Sequence, residues 1–307
     1  MRILITGGAG FIGSNVADAF VGSAHEVLVV DDLSSGKEEN VPKAARLERR
    51  DIRDPGLGAV VAAFRPDVLC HHAAQIDVRK SVADPGFDAE VNVVATLRLL
   101  EHCRGAGTRR VLFASTGGAI YGEQDFFPAN EAHPERPVSP YGCAKLAVER
   151  YLHYYAVQYG FRAACLRYAN VYGPRQNAHG EAGVVAIFAN RLLSGETPVI
   201  NGDGEQTRDF VFVGDVVRAN VLALEHDLVG AYNVGTGVET SVNRLYDAIV
   251  RAAGLSTQAT HAPGKPGEQL RSCLDSALLE RKTGFRPKTT LDDGIRRTVE
   301  YFRKASR

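Results

Sequence analysis

Through the first 115 residues, short apolar runs alternate with longer stretches of helical spacing. Residues 3–6, 26–31, 68–71 and 110–115 are apolar at consecutive positions, the pattern of strands buried on both faces of a parallel sheet. Residues 13–21, 56–64 and 88–103 between them carry apolar side chains at helical spacing. A helix over 141–159 and a strand over 161–168 continue the series. Repeated strand–helix–strand units predict a doubly wound α/β fold, with ligands at the carboxyl ends of the strands. Beyond about residue 170 the alternation breaks. Gly and Pro become frequent, and a Gly-rich stretch over 195–208 separates two helices. Segments 210–213 and 232–234 read as strands that rejoin the sheet. Helices near 242–253 and 291–304 predict a smaller α/β lobe. The expected division is therefore a sheet domain over 1–170 and a C-terminal lobe over 171–307.

The chain has 307 residues, enough for one large domain or two closely packed ones at roughly 150 per domain. Lys plus Arg number 36 and Asp plus Glu number 36. That balance argues against nucleic acid or an anionic membrane as the main partner. Five cysteines, Cys70, Cys103, Cys143, Cys165 and Cys273, include no CxxC spacing, so neither a disulfide framework nor a zinc site is expected. No apolar run approaches the ~18 residues of a membrane span. A strand opening at Met1-Arg2-Ile3 leaves no room for a signal peptide, and a cytoplasmic protein is expected.

The strongest local signal is Thr6-Gly7-Gly8-Ala9-Gly10-Phe11-Ile12-Gly13, directly after a strand and opening a helix. Glycines there permit a tight turn and let backbone amides approach a pyrophosphate, which the helix N-terminus favours. Eighteen residues on, Asp31 ends the second strand. A carboxylate there can accept both ribose hydroxyls of an adenosine and repels a 2′-phosphate, so NAD is expected over NADP. Lys37 nearby could soften that repulsion. Asp51-Ile52 follows the expected third strand, where the acid serves either the adenine amino group or simply the solvent.

Tyr141 and Lys145 stand four apart in Tyr141-Gly142-Cys143-Ala144-Lys145, one above the other on a helix face. A phenol with an ordinary pKa of ~10 is a poor base at neutral pH, and lowering it by about 3 units requires roughly 4 kcal/mol. A neighbouring ammonium and a positive nicotinamide ring favour the phenolate. Ser115-Thr116-Gly117-Gly118 ends a strand where the fold presents substrate, and a hydroxyl there can steady the exchanged proton.

Together with His72-Ala73-Ala74 and Arg208-Asp209-Phe210, these motifs resemble the extended short-chain dehydrogenase/reductase family. Within it the chain is most similar to bacterial UDP-glucose 4-epimerases, over residues 1 to about 300. The resemblance implies a Rossmann-type NAD-binding domain and a nucleotide-sugar lobe. It implies Tyr141 as base, Lys145 on the nicotinamide ribose, and Thr116 rather than Ser115 as the hydroxyl partner. Gly7, Gly10, Phe11, Ile12, Gly13, Asp31, Asp32, Asp51, Ile52, Ala73, Ala74 and Gln75 would hold NAD. Asn92 and Tyr168 would approach its nicotinamide side. Asn170 and Arg208 would meet the substrate, Arg208 either clamping a phosphate or pairing with Asp209.

Two departures bear on substrate. Many relatives place Arg before Pro-Gly-acid, whereas this chain has Lys265-Pro266-Gly267-Glu268, so Arg271 is expected to share a phosphate. The position four after Glu268, typically bulky in enzymes restricted to unmodified hexoses, is Ser272, which implies room for N-acetylated sugars. The expected reaction is C4 epimerisation of a UDP-sugar through a transient 4-keto sugar, with NAD retained. A UDP-glucuronate 4-epimerase is a near alternative. Dehydratases usually carry Asp-Glu after the catalytic Thr, where this chain has Gly117-Gly118. That disfavours dehydration, and it also removes the acid seen in decarboxylases. A non-catalytic NAD-binding regulator is the distant alternative, disfavoured by the presence of both Tyr141 and Lys145. Apolar surface on helices 88–103 and 141–159 implies a homodimer.

Overall fold

The computed structural model describes residues 1–177, 183–264 and 269–305. Seven parallel strands form the main sheet: β1 (Arg2–Thr6), β2 (Glu26–Asp31), β3 (Arg46–Arg49), β4 (Val68–His71), β5 (Arg110–Thr116), β6 (Arg162–Tyr168) and a late strand, β10 (Gly230–Val234). Their spatial order is β10-β6-β5-β4-β1-β2-β3. Alternation along β1 sends Ile3 and Ile5 to one face and Leu4 to the other. On the first face pack α1 (Phe11–Gly22) and a later helix, α9 (Val213–Glu225), with Val16, Phe20, Val216 and Ala223 in the core. On the second face lie α2 (Leu57–Phe64), α5 (Ala95–Gly105) and α7 (Pro140–Tyr159), contributing Val61, Leu99, Val148 and Leu152. The strand order reverses between β1 and β4, so a crevice opens at their carboxyl ends. Thr6 and His71 are partners in register there.

The expected helix over 88–103 is interrupted. Two short helices, α3 (Val78–Ala83) and α4 (Pro85–Ala89), lead into a π-helical turn over Glu90–Val94 before α5 begins. Extra residues of this kind inside a helix are frequent at functional sites. A four-residue helix, α6 (Gly117–Ile120), follows β5.

The second lobe is built on a small sheet centred on β9 (Thr207–Phe212), flanked by β7 (Asn170–Tyr172), β11 (Glu239–Ser241) and β13 (Arg271–Ser272). Strands β8 (Val199–Asn201) and β12 (Thr260–Ala262) form a separate pair. Helices α8 (Val184–Leu193), α10 (Val242–Ala253) and α12 (Leu291–Ala305) enclose its core, which includes Phe188, Ile249 and Val299. Another helix, α11 (Ala277–Thr283), packs beside β10 and supplies Leu279 to the first core. Of the two strands expected to rejoin the main sheet, only the second does so. The strand read at 210–213 belongs to the small sheet, because Asn170–Tyr172 pairs with Phe210–Phe212 while β11 and β13 flank the start of the same strand. No helix among the described residues is long and apolar enough to cross a membrane. The five cysteines are free.

Candidate active site

The glycine turn follows from close approach. Gly7 has φ +69°, and a Cβ there would lie 2.6 Å from the Ala73 amide nitrogen. A Cβ on Gly13 would lie 2.2 Å from the Gly7 carbonyl oxygen. Helix α1 begins after Gly10 with no side-chain cap and no acid in its first turn, leaving its amides and positive dipole end facing the crevice. Phe11 and Ile12 open that helix. Asp31 accepts from the Ala9 amide (2.9 Å) and the Leu33 amide (2.9 Å). Burial pushes its carboxyl up, while those amides pull it down. Lys37 turns its ammonium to Glu39 at 3.4 Å. Asp32 caps its own turn through the Ser34 amide and hydroxyl. Asp51 is gripped by the Arg53 guanidinium (2.6 Å), which holds its carboxyl below the usual range, and Ile52 is buried.

Beyond Ala73 and Ala74, the Gln75 amide donates to Asn92 Oδ1 (2.8 Å), and Asn92 Nδ2 donates back to the Gln75 carbonyl (2.9 Å). Asn92 also donates to Asp88 Oδ1 (3.0 Å). Its amide therefore fixes the loop after β4 from within the π turn. Tyr168 ends β6. Its side chain is in the core, where its hydroxyl accepts from Asn220 Nδ2 at 2.9 Å and its ring stacks on His72. His71 is also buried, between Thr6 Oγ1 (2.6 Å) and Thr96 Oγ1 (2.9 Å), and burial pushes both histidines down to about 3.

Helix α7 starts at Pro140, capped by Ser139, whose hydroxyl accepts from the Gly142 amide at 3.1 Å. A Cβ on Gly142 would lie 2.8 Å from the Ala119 carbonyl oxygen, so this glycine lets α7 pack directly on the turn after Thr116. Tyr141 is thereby brought to the end of β5. Lys145 Nζ lies 5.8 Å from the Tyr141 ring centroid, donates to the Ala114 carbonyl (2.9 Å) and sits 4.8 Å from the Phe113 ring centroid. Only 4% of Lys145 is exposed. Burial pushes its ammonium down to about 8, and the Asp88 and Glu149 carboxylates oppose that fall.

Ser115 and Thr116 separate clearly. Ser115 is buried and donates to Glu149 Oε1 at 2.5 Å. Thr116 is half-buried, and a Cβ on Gly118 would fall 3.9 Å from its Oγ1 and 3.8 Å from Asn170 Oδ1. Thr116 and Asn170 thus border one space beside the start of α7. Arg208, on β9, is the register partner of Ser272 on β13, and Asn170, on β7, is the register partner of Phe210 two residues further along β9. Asp209 faces inward and holds the backbone amides of Thr236, Gly237 and Leu274. Arg271 makes a two-pronged ion pair with Glu239 (2.9 and 2.6 Å) and stacks over Phe127, so a phosphate there would share it with that carboxylate. Lys265 and Glu268 lie outside the described residues.

Several buried polar groups around the site belong to none of the motifs. Arg167 is almost fully buried, with a two-pronged hold on Glu149 (3.0 and 2.5 Å) and further bonds to Glu135 and to the Tyr121 hydroxyl. Tyr121 in turn donates to Asn233 on β10, tying the turn after β5 to the far edge of the sheet. Asp88 is 1% exposed, and its Oδ2 has no hydrogen-bond partner among the described residues. Glu149 was in reach of the sequence, four residues past Lys145 on the same helix. Nothing in the sequence ties Asp88 to Lys145, because α4 meets α7 only through packing.

The profile of the NAD dependent epimerase/dehydratase family matches residues 3–235. A UDP-glucose 4-epimerase from Mycolicibacterium smegmatis is 47% identical over 312 residues, covering all of both chains. The UDP-glucose 4-epimerase of Thermotoga maritima, solved with UDP-glucose, is 46% identical with a TM-score of 0.96 over all of both chains. That of Thermus thermophilus, solved with NAD, is 47% identical with a TM-score of 0.94, over 99% of this chain and 100% of its own. With a full-length likeness in sequence and backbone, the chain belongs to the NAD dependent epimerase/dehydratase family.

Proposed function

We propose that the chain interconverts UDP-glucose and UDP-galactose by NAD-dependent epimerisation at C4. The observation that carries this reading is the buried Lys145 ammonium beside the Tyr141 ring, at the mouth of a turn shaped for a dinucleotide. The glycine turn, whose added β-carbons would collide with backbone, and the uncapped start of α1 fit a pyrophosphate; Asp31 fits a ribose without a 2′-phosphate. When bound, NAD supplies reversible acceptance of hydride, which a C4–H with no acidity requires.

On this reading Tyr141 removes the O4 proton as C4 is oxidised and returns it once the 4-keto sugar has turned over. Lys145 holds positive charge where it favours the phenolate and a ribose hydroxyl. Thr116 steadies O4, while Asn170 and Arg208 hold the nucleotide so that only the sugar reorients. Gly117-Gly118 leave no acid beside Thr116, which argues against elimination. Small, buried Ser272 beside Arg208 supports acceptance of N-acetylated sugars as well. Tyr151, Tyr154 and Val157 are exposed on α7 and support a homodimer through that helix. Five free cysteines support a reducing, cytoplasmic setting.

The test is to incubate the purified protein with UDP-galactose, without added NAD, and follow the sugar by NMR. Conversion to UDP-glucose is expected. Bound NAD with no epimerisation of any nucleotide hexose would remove the reading.

A further inference from the structure

At the opposite end of the main sheet, where the strands begin, lies a cleft of about 380 Å³. Five arginines from four chain segments line it: Arg2 on β1, Arg65 after α2, Arg109 and Arg110 at β5, and Arg162 on β6. Two carboxylates answer them. Asp67 pairs with Arg2 at 3.5 Å, and Asp227 is shared by Arg110 (3.1 Å) and Arg162 (2.6 Å). Arg109 donates to the carbonyls of Arg104 and Thr108 and packs over Phe161. Neither Arg65 nor Arg109 has a carboxylate partner among the described residues. Converging like charges oppose one another, so such a cluster is stable only with solvent or an anion between them. Burial already pushes Arg110 down, and Arg162 beside it adds to the fall.

The backbone at Arg65 supplies a handle for testing the cleft. Helices α7, α10 and α11 each end on a left-handed glycine: Gly160, Gly254 and Gly284. Helix α2 ends in the same conformation on Arg65, with φ 51°. A side chain in that region costs roughly 1 kcal/mol that glycine avoids. Ala24 after α1 (φ 58°) and Asp227 after α9 (φ 51°) end their helices the same way without glycine; Arg65 differs from both in being a cation that lines the cleft. Gly107, with open space at its Cβ position, and Ala106 keep the opening clear.

We propose that this cleft binds a small oligophosphate anion, at a site separate from the catalytic crevice. Arg2 and Thr6 occupy opposite ends of β1, about 13 Å apart at strand rise, so one ligand diphosphate cannot serve both places. The planar, multi-donor arginine fork suits phosphate oxygens, and a recessed cleft suits a compact anion better than a membrane or nucleic-acid surface.

Calorimetric titration with inorganic triphosphate tests this, using full-length protein saturated with NAD and UDP so that the crevice is filled. One saturable site is expected, weakening as salt rises, with ATP binding about as well because only the phosphate chain is read. Arg65→Gly should weaken binding about tenfold while leaving the melting temperature equal or higher, since the substitution relieves the left-handed backbone. Arg109→Gln should weaken it similarly. No saturable binding, or affinities within twofold of the parent in both variants, would overturn the proposal. Epimerase turnover is not the readout, so the two readings fail separately.

Discussion

Asp88→Asn removes one of the two buried negative charges that oppose the desolvation of Lys145, while keeping the size and the Oδ1 acceptor that holds Gln75 and Asn92. An opposite charge at close range in a buried site shifts a pKa by about 1–3 units. Taking the lower part of that range, Lys145 would fall from about 8 to between about 6 and 7. The sign is fixed by the group. A lysine is charged below its pKa, so the variant keeps the ammonium near pH 6 and loses it near pH 8. At pH 8 the charged fraction falls from about one half to roughly a tenth or less, and kcat should fall by about fivefold to tenfold or more. Near pH 6 the two enzymes should differ by less than about twofold on the same arithmetic. The assay is kcat for UDP-galactose from pH 5.5 to 9, with melting temperature and NAD content measured alongside. A variant slowed by the same factor at every pH, or unchanged at pH 8, would show that Asp88 does not govern the charge on Lys145.

Gly7→Ala forces a β-carbon against the Ala73 backbone at a left-handed φ, and absorbance of the purified protein should show NAD content reduced by more than half. His71 and His72 are held neutral, so the unfolded chain binds more protons than the native one between about pH 6.5 and about 3, and stability must fall as pH drops through that window. At pH 4.5 each histidine contributes about 2.7 kcal/mol of that loss, which urea midpoints across pH should reveal, with a shallower fall in His72→Gln. Ser272→Tyr should abolish turnover of UDP-N-acetylglucosamine while UDP-glucose turnover persists; equal effects on both would remove Ser272 from the sugar pocket.

The central strands of the large sheet were legible because they are apolar on both faces and punctuated by glycine and proline, whereas the charged edge strand Arg46–Arg49 carries no such run. Residues 26–31, 68–71 and 242–253 carry their boundaries in their own composition. What periodicity could not supply was partnership. The segment 210–213 and the segment 232–234 look alike locally, yet the first is claimed by the small sheet and only the second returns to β6. The stretch 88–103 keeps an apolar stripe through the π turn, so it reads as one helix, and the turn that aims Asn92 at Gln75 is invisible to the pattern. Tyr141, Lys145 and the glycine turn were readable because their chemistry lies in fixed local spacing. Asp88 and Arg167 were not, since their partners arrive from distant segments only when helices and strands pack.

On the proposed reading Tyr141 is the group on which the C4 chemistry turns, taking and returning the O4 proton. Tyr141→Phe keeps the ring beside Lys145 and removes only the hydroxyl. Its turnover of UDP-galactose, measured on folded protein still carrying NAD, is predicted to fall by at least about a hundredfold, in line with the loss of a general base. Turnover within a few-fold of the parent would contradict that role.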